Sequence, residues 1–429
     1  MKKSLSAARV LSLLLTAYCL LPTGGLVWAE ETETEALKAE IQVLKERLIQ
    51  LEGRLKHVEE TGAATYEAPA AGIQLPSGLQ DVQISGFVDT SFTYNFNEPN
   101  TRTSTLRVFD TRAEDFTIQN AELVVMKPVS TESPVGFRTD LDFGNDAEVV
   151  GSVTTGLGST TDELDLQQAY VEYLAPIGNG LDVKFGKFVT MHGAEVIEAK
   201  DNWNFSRSYL FGFAIPFTHT GLRASYPWTE WFSTTVGVNN GWDVVDDNNK
   251  GKTVEFSTTL TPLENLSFGG TYMFGAEQAA DSTDQRHLFD FVAQYQPLEQ
   301  LTLRVNVDFA REEDAVDEGG GGNASWNGVA AYAKYDINDW WSLAGRFEVF
   351  NDQDGVRTGV NAGTGNLAGL AVADLRLIEW TLTNEFKLNK HLLARLEYRH
   401  DNADSDVFLH DRGFSDNQDT VALEFIAPF

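Results

Sequence analysis

The chain has a single cysteine, Cys19, and only 12 prolines in 429 residues. Basic residues are also scarce, because 32 Lys and Arg stand against 63 Asp and Glu and leave a formal net charge of −31 at pH 7. This acidic surplus argues against nucleic-acid binding, since a protein that neutralises phosphates needs basic side chains. After the first thirty residues, no run approaches the roughly 18 apolar residues that a transmembrane helix needs. A membrane location therefore requires strands.

The amino terminus predicts an exported protein. Basic residues precede an apolar run at residues 10–21, and Val27, Trp28 and Ala29 form a small-residue site of the kind that signal peptidase cuts. A lipoprotein signal that uses Cys19 is the alternative, but the bulky residue before it disfavours this. We predict a signal peptide over residues 1–29. Its removal takes away the sole cysteine, which excludes disulfides, thiol catalysis and cysteine-held metals.

A heptad repeat follows in residues 30–60. Apolar residues recur there at alternating steps of four and three, at Leu37, Ile41, Leu44, Leu48, Leu51, Leu55 and Val58. This spacing predicts a coiled coil with other chains, and the alternative is an amphipathic helix packed on its own domain. Isolated helices of this length are marginal in water, which favours partner chains. Residues 61–80 are rich in Ala, Gly and Pro and indicate a linker.

From residue 81 to 429 the apolar period changes from 3.6 to the value of 2 that is typical of strands. Residues 301–309 and 253–260 alternate without error. The alternating runs last about nine to twelve residues, the length that a tilted strand needs to cross a bilayer. Strands of soluble sandwiches average about five or six residues. We therefore predict an all-β transmembrane antiparallel barrel whose polar face lines water.

The connections alternate between tight turns and polar loops, as in outer-membrane barrels. Seven tight turns are predicted near residues 128–134, 176–180, 227–230, 262–265, 297–300, 338–339 and 389–390. Eight longer loops are predicted near residues 97–115, 144–163, 190–218, 240–251, 277–285, 312–323, 352–371 and 401–417. Together they predict sixteen strands. An even number puts both ends of the barrel, and with them the coiled coil, in the periplasm.

Aromatic residues support the membrane assignment. Trp228, Trp231, Trp340 and Trp341 cluster at tight turns, which is typical of an aromatic girdle at a membrane interface. The last apolar alternation runs to Phe429, and a terminal aromatic residue is similar to the recognition signal of bacterial outer-membrane barrels.

Several segments carry a family resemblance. They are ISGFVDTSFTYNFN at residues 84–97, VGFRTDLDFG at 135–144, QAYVEYLA at 168–175, GWD at 241–243, and KFGKFVT, FSRSY and PFTHTGLR within 184–223. These segments resemble the OmpL-like porins of the beta-barrel porin-2 family. The resemblance is close from about residue 82 to 251, continues more weakly to 429 and does not include the heptad. It implies an outer-membrane pore and leaves the solute open.

No catalytic residue, metal site or cofactor is predicted. The seven histidines show no spacing to a serine that is typical of a hydrolase. His192, Glu195 and Glu198 could bind a metal, but no second histidine lies beside them. The aspartates of residues 243–247 lack the glycine spacing of a calcium loop. Both groups indicate solvated loops, and we predict that the protein is not an enzyme.

The third outer loop, residues 190–218, is predicted to form the constriction of the pore. It is the longest connection and is rich in aromatic residues, which favours burial inside the barrel over exposure. The alternative is packing over a neighbouring subunit or the rim. The candidates for the narrowest passage are Glu195, Glu198, Lys200, Asp201 and Arg207. The candidates for the pore wall are Arg138, Arg223, Arg304, Asp308, Arg346, Glu348, Arg395, Glu397 and Arg399.

These features predict an outer-membrane porin, a water-filled channel for passive diffusion of small hydrophilic solutes or ions. The acidic outer loops predict a mild preference for cations. A homotrimer through barrel and coiled coil is expected, with outer-membrane lipid around it. The alternative function is an envelope-organising protein whose barrel only anchors the coiled coil.

Overall fold

The computed structural model describes residues 81–151, 163–316, 322–360, 370, 372, 374–411 and 413–429. The predicted signal peptide, coiled coil and linker all fall in residues 1–80 and lie outside the described residues.

The described residues form eighteen strands, of which sixteen close into an antiparallel barrel. The strands are, in chain order, β1 (Gln83–Asn95), β2 (Asp115–Lys127), β3 (Val135–Phe143), β4 (Leu164–Ala175), β5 (Leu181–Val189), β6 (Thr218–Thr229), β7 (Phe232–Asn239), β8 (Thr253–Leu263), β9 (Leu266–Ala276), β10 (Gln285–Leu298), β11 (Leu301–Val316), β12 (Gly322–Asn338), β13 (Trp341–Asp352), β14 (Leu375–Asn389), β15 (Leu392–Ala403), β16 (Phe408–His410), β17 (Gly413–Ser415) and β18 (Asn417–Pro428). The short β16 and β17 form a separate hairpin in the last outer loop. Strand β18 pairs with both β15 and β1, so the sheet has no free edge. The prediction of a sixteen-stranded antiparallel barrel is confirmed.

Helical structure in the described residues is limited to three short elements. Helix α1 (Asn145–Val150) lies in the second outer loop. A 3-10 turn (Ala199–Asp201) and a π-helical turn (Leu210–Ala214) lie in the third. Within the described part of the chain, no helix combines the length and the apolar character needed to cross a membrane.

The strands turn apolar side chains outward and charged side chains inward. On β10, Phe289 and Phe291 are 55% and 45% exposed, whereas Asp290 between them is 5% exposed. On β13, Phe347 is 53% exposed and Glu348 is fully buried. Such an apolar outer surface would be unstable in water and is suited to lipid. The polar period-2 positions therefore face the lumen, as the alternation in the sequence indicates.

The seven short connections occur where the tight turns are predicted, and they share one end of the barrel. At one of them, the Asn338 side-chain oxygen accepts hydrogen bonds from the N–H groups of Trp340 and Trp341, at 3.0 Å each. Both indole rings stack on Phe386. Trp228 is exposed at another turn of the same end. These aromatic rings occupy positions suited to a membrane interface.

The sixth outer connection is shorter than predicted. The polar composition of residues 312–323 indicates a loop, but β11 runs to Val316 and β12 begins at Gly322. Glu312 pairs with Ala324 and Val316 with Gly322. Ladder hydrogen bonds between two long neighbouring strands therefore override the local polar composition.

We expect a charge on the lipid face to destabilise the barrel. Phe256 is 46% exposed on the outer face of β8. Phe256→Arg should lower the free energy of unfolding by about 2–4 kcal/mol near the bilayer midplane, measured by denaturant titration in lipid vesicles. Thr259→Arg is the control, because Thr259 lies on the opposite face of the same strand and is exposed to the lumen. An equal effect of the two substitutions would contradict the outward assignment of Phe256.

Candidate functional site

The third outer connection, residues 190–217, is the longest between barrel strands, and it folds into the barrel. Its π-helical turn is fully buried at Leu210 and Ala214. The indole N–H of Trp326 on β12 donates to the carbonyl of Ala214 at 3.0 Å. Phe213 stacks on Phe350 of β13 with ring centroids 6.2 Å apart. Aromatic residues of the loop thus form a hydrophobic core with inward residues of the wall.

Two glutamates of the wall accept hydrogen bonds from the loop backbone. Glu348 accepts the N–H groups of Tyr209 and Leu210 at 2.7 and 2.6 Å. Glu397 accepts those of Phe205 and Ser206 at 2.7 and 3.0 Å. A loop that enters a crowded lumen leaves its peptide groups without strand partners. Hydrogen bonds to the side-chain oxygens of Glu348 and Glu397 satisfy these groups.

Arginines of the wall bind the carbonyl groups of the same loop. Arg346 donates to the carbonyl of Ser206 at 2.6 Å and to the Glu195 carboxylate at 2.7 Å. Further loop carbonyls accept from Arg304 at Ala194, from Arg395 at Ala199 and Asn202, and from Arg399 at Arg207. The loop is therefore attached to β11, β13 and β15 through both its N–H and its C=O groups.

Acidic residues of the wall pair these buried arginines. Arg346 contacts Glu379 at 2.6 Å, and Arg399 contacts Asp401 at 2.8 Å. Arg395 lies between Glu385 and Glu424, 3.1 Å from each. An unpaired buried charge would strongly destabilise the barrel, whereas a paired and hydrogen-bonded one is tolerated. These pairs orient the guanidinium groups toward the loop.

The predicted wall residues thus divide by position. Six of them contact the loop, which lies between them and the cavity: Arg304, Arg346, Glu348, Arg395, Glu397 and Arg399. Asp308 is buried on β11, opposite Asp290 of β10. Arg138 and Arg223 lie on the other side of the barrel and line a cavity.

Two of the five predicted loop residues stabilise the loop itself. Glu195 accepts hydrogen bonds from the N–H and the hydroxyl of Ser208. Arg207 donates to the carbonyls of Val196, Phe205 and Ile197 at 3.1, 2.7 and 2.6 Å. Both side chains are buried. They hold the loop conformation.

The remaining three, Glu198, Lys200 and Asp201, border a cavity of about 680 Å³ between the loop and strands β1 to β6. From the wall, the charged residues that line it are Glu122, Arg138, Lys184 and Arg223. Gln168, Tyr170, Phe188 and Phe429 line it as well. The open part of the lumen is therefore off-centre, because the loop packs against the opposite wall.

The basic side chains around the cavity have acidic partners. Arg138 pairs with Asp140 at 2.9 Å, Lys184 with Glu172 at 3.3 Å and Arg223 with Glu255 at 2.8 Å. Lys200 contacts Asp201 of the same loop. The Arg223 guanidinium also lies 4.0 Å from the centre of the Phe188 ring. These pairs leave little uncompensated positive charge on the cavity surface.

Glu122 and Lys184 line the cavity but were not among the candidates from the sequence. The alternation of β2 indicates that Glu122 faces inward, because Asn120, Glu122 and Val124 occupy alternate positions on one face of the strand. All three are buried. The sequence alone does not show that β2 faces the open part of the lumen. That depends on the wall against which the loop packs.

Two of the residues considered for metal binding in the outer loops, Asp243 and His192, have other partners. The Asp243 carboxylate accepts the N–H groups of Phe217 and Thr218 at 2.6 and 2.9 Å, and burial raises its pKa. Burial lowers the pKa of His192 well below its usual value, as do the neighbouring His219 and Arg223. His192 is therefore neutral near pH 7 and contacts the Thr190 hydroxyl.

Comparison with known proteins identifies related folds. A family model described as "Putative beta-barrel porin-2, OmpL-like" matches residues 81–429. The high-pH structure of Pseudomonas putida OprB aligns with a TM-score of 0.57 and 14% identity over 81% of this chain and 94% of that one. An anion-selective porin from Comamonas acidovorans aligns with a TM-score of 0.54 and 11% identity, over 81% of this chain and 99% of that one. The trimer form of in-vitro folded Vibrio cholerae OmpT aligns with a TM-score of 0.53 and 11% identity, again over 81% of this chain and 99% of that one. No curated protein sequence matches the chain.

We expect the wall glutamates to hold the third outer loop in place. Glu348→Ala removes two hydrogen bonds and should lower the free energy of unfolding by about 1–3 kcal/mol for each loop N–H left unsatisfied. The loosened loop should give larger current fluctuations in single-channel recordings. Glu98→Ala is the control, because Glu98 is exposed in the first outer loop and accepts from Tyr94. Unchanged fluctuations in Glu348→Ala would show that other contacts suffice.

Proposed function

The chain belongs to the beta-barrel porin-2, OmpL-like, family, and we propose on this premise that its channel is water-filled and passes small hydrophilic solutes or ions by passive diffusion. It is a porin, and the family and the barrel fold imply the bacterial outer membrane. The proposal assigns it no catalytic step.

The observation that carries the proposal is the cavity beside the third outer loop. Its volume of about 680 Å³ is many times the roughly 30 Å³ that one water molecule occupies in the liquid. Its walls present carboxylates, guanidinium groups and ammonium groups. A hydrated solute can exchange its water contacts for such groups, whereas an apolar solute gains little there.

We propose that Glu198, Lys200 and Asp201 face the narrowest passage, opposite Arg138 and Arg223. All five line the same cavity, and charges in a narrow passage with low-dielectric walls act strongly on a passing ion. Glu195 and Arg207 act indirectly in this proposal, since their hydrogen bonds fix the loop that carries the other three.

An envelope-organising role is the second candidate function. The heptad of residues 30–60 favours it, because a coiled coil in the periplasm could bind another envelope component while the barrel serves as an anchor. The two functions differ in what they require of the barrel lumen. Only the porin needs a lumen that conducts.

Planar-bilayer recordings separate the two functions. The full-length protein should conduct, and deletion of residues 195–204 should raise the single-channel conductance because it removes the loop segment that borders the cavity. Deletion of residues 30–77 is the matched control and should leave the conductance unchanged. Absence of conductance in the full-length protein would favour the anchor. Unchanged conductance after the loop deletion would place the constriction elsewhere.

We also propose a mild preference for cations. The lysines and arginines around the cavity are paired with acidic side chains, so their positive charge is offset. The chain as a whole carries −31. A KCl gradient should therefore give a reversal potential of cation sign. The preference should weaken at about 1 M salt, where the Debye length is near 3 Å. A potential of anion sign would contradict the proposal.

We further propose a homotrimer that associates through the barrels, with the coiled coil of residues 30–60 in the periplasm as a second contact. The solved Vibrio cholerae OmpT is described in a trimer form, and a heptad repeat favours self-association. Native mass spectrometry in a mild detergent should return the mass of three chains. Removal of residues 30–60 should make that trimer easier to dissociate. Monomers alone in the full-length sample would refute the assembly.

A further inference from the structure

We propose that Glu122 of β2, Asp140 of β3 and Glu198 of the third outer loop form a binding site for a divalent cation of the calcium type. This goes beyond passive diffusion, because a bound cation would connect the loop to the barrel wall. It also does not depend on conductance, since a closed barrel could hold the same ion.

The distances between the three carboxylates suit one ion. One oxygen from each lies within 4.8 Å of the others. Calcium binds oxygen at about 2.3–2.6 Å, so two ligands on opposite sides of it are about 5 Å apart. Magnesium binds at about 2.0–2.1 Å and keeps several of its waters. The observed spacing can therefore accommodate calcium without movement of the backbone.

The second observation is that Glu122 has no partner. Its side chain lines the cavity, is only 3% exposed, and neither of its oxygens accepts a hydrogen bond among the described residues. Buried carboxylates are expected to be paired or bound to a metal. The neighbouring lysine and arginine side chains contact other acids, Asp201 and Asp140. A cation between Glu122 and Glu198 would supply the missing partner.

Further oxygens are available beside the three carboxylates. Asp142 is directly opposite Glu122 in the β2–β3 ladder, and one of its carboxylate oxygens is buried and accepts no hydrogen bond from the described residues. Gln167 donates its amide N–H to Glu198 at 2.9 Å, and its own buried amide oxygen likewise has no partner in the described part of the chain. Calcium takes about six to eight oxygen ligands, including amide oxygens and water. The surroundings can therefore complete a coordination shell.

The acidic side chains of this part of the wall also favour a cation. Glu122, Asp140, Asp142 and Glu198 bring four carboxyl groups together there, and Arg138 pairs with Asp140 alone. A divalent ion bound among these groups would offset the repulsion between their ionised forms more than a monovalent ion would. The ion would thereby join β2 and β3 to the tip of the loop.

Terbium luminescence tests the site in the full-length protein in a non-ionic detergent. Terbium substitutes for calcium and is excited through nearby tyrosine, and Tyr170 lines the same cavity. We expect one terbium ion per chain, displaced by calcium at lower concentration than by magnesium. Glu122→Gln and Glu198→Gln should each weaken binding by at least about tenfold.

Glu172→Gln is the matched control. It removes one carboxylate from β4, where Glu172 pairs with Lys184 at 3.3 Å, and should leave terbium affinity unchanged. Heat-modifiable gel mobility reports whether each variant forms the barrel, and the Glu198 variant tests the site from the loop if the β2 variant does not fold. Wild-type affinity in folded Glu122→Gln and Glu198→Gln, or no binding by the native protein at millimolar terbium, would overturn the proposal. Single-channel conductance measured with a chelator present distinguishes failure of the calcium proposal from failure of the channel proposal, because the channel proposal does not require the ion.

Discussion

A strand surrounded by lipid has no water to bond its peptide groups, so each N–H and C=O must find a partner in a neighbouring strand. In this chain β18 supplies the last partners by pairing with β1. Closure of the barrel then determines the character of both faces of the sheet. It requires an apolar face around the whole outer surface, and it encloses a polar face that must be filled by water, by side chains or by another part of the chain.

Part of that lumen is filled by the third outer loop, which has an unusual composition for a loop inside a charged cylinder. Its aromatic residues pack on one another and on Trp326 and Phe350, while its backbone is hydrogen-bonded to glutamates and arginines of the wall. The two kinds of contact depend on each other. The aromatic core excludes water, and water exclusion strengthens the charge-assisted hydrogen bonds that hold the core in place.

The period-2 alternation and the turn residues were sufficient to predict the barrel, its sixteen strands and the position of its turns, because each strand has one lipid face and short turns need few residue types. The site was predicted less completely. Glu348 and Glu397 were assigned to the pore wall from their inward parity, but parity does not show that the loop covers them. Glu122 was missed because its neighbours in space come from β3 and the third loop, at no fixed spacing in the chain. Contacts between residues of different strands and loops leave no local pattern in the sequence.

The attachment of the third loop also sets an order of events during folding. The loop residue Tyr209 bonds to Glu348, 139 positions further along the chain, and Arg395 bonds to Ala199 across 196 positions. Contacts of such long sequence separation form slowly, because the intervening chain must first be ordered. The third outer loop therefore reaches its final place only after the strands of the carboxyl-terminal third have entered the sheet. Docking of the loop against the wall consequently comes late, and it marks the completion of assembly.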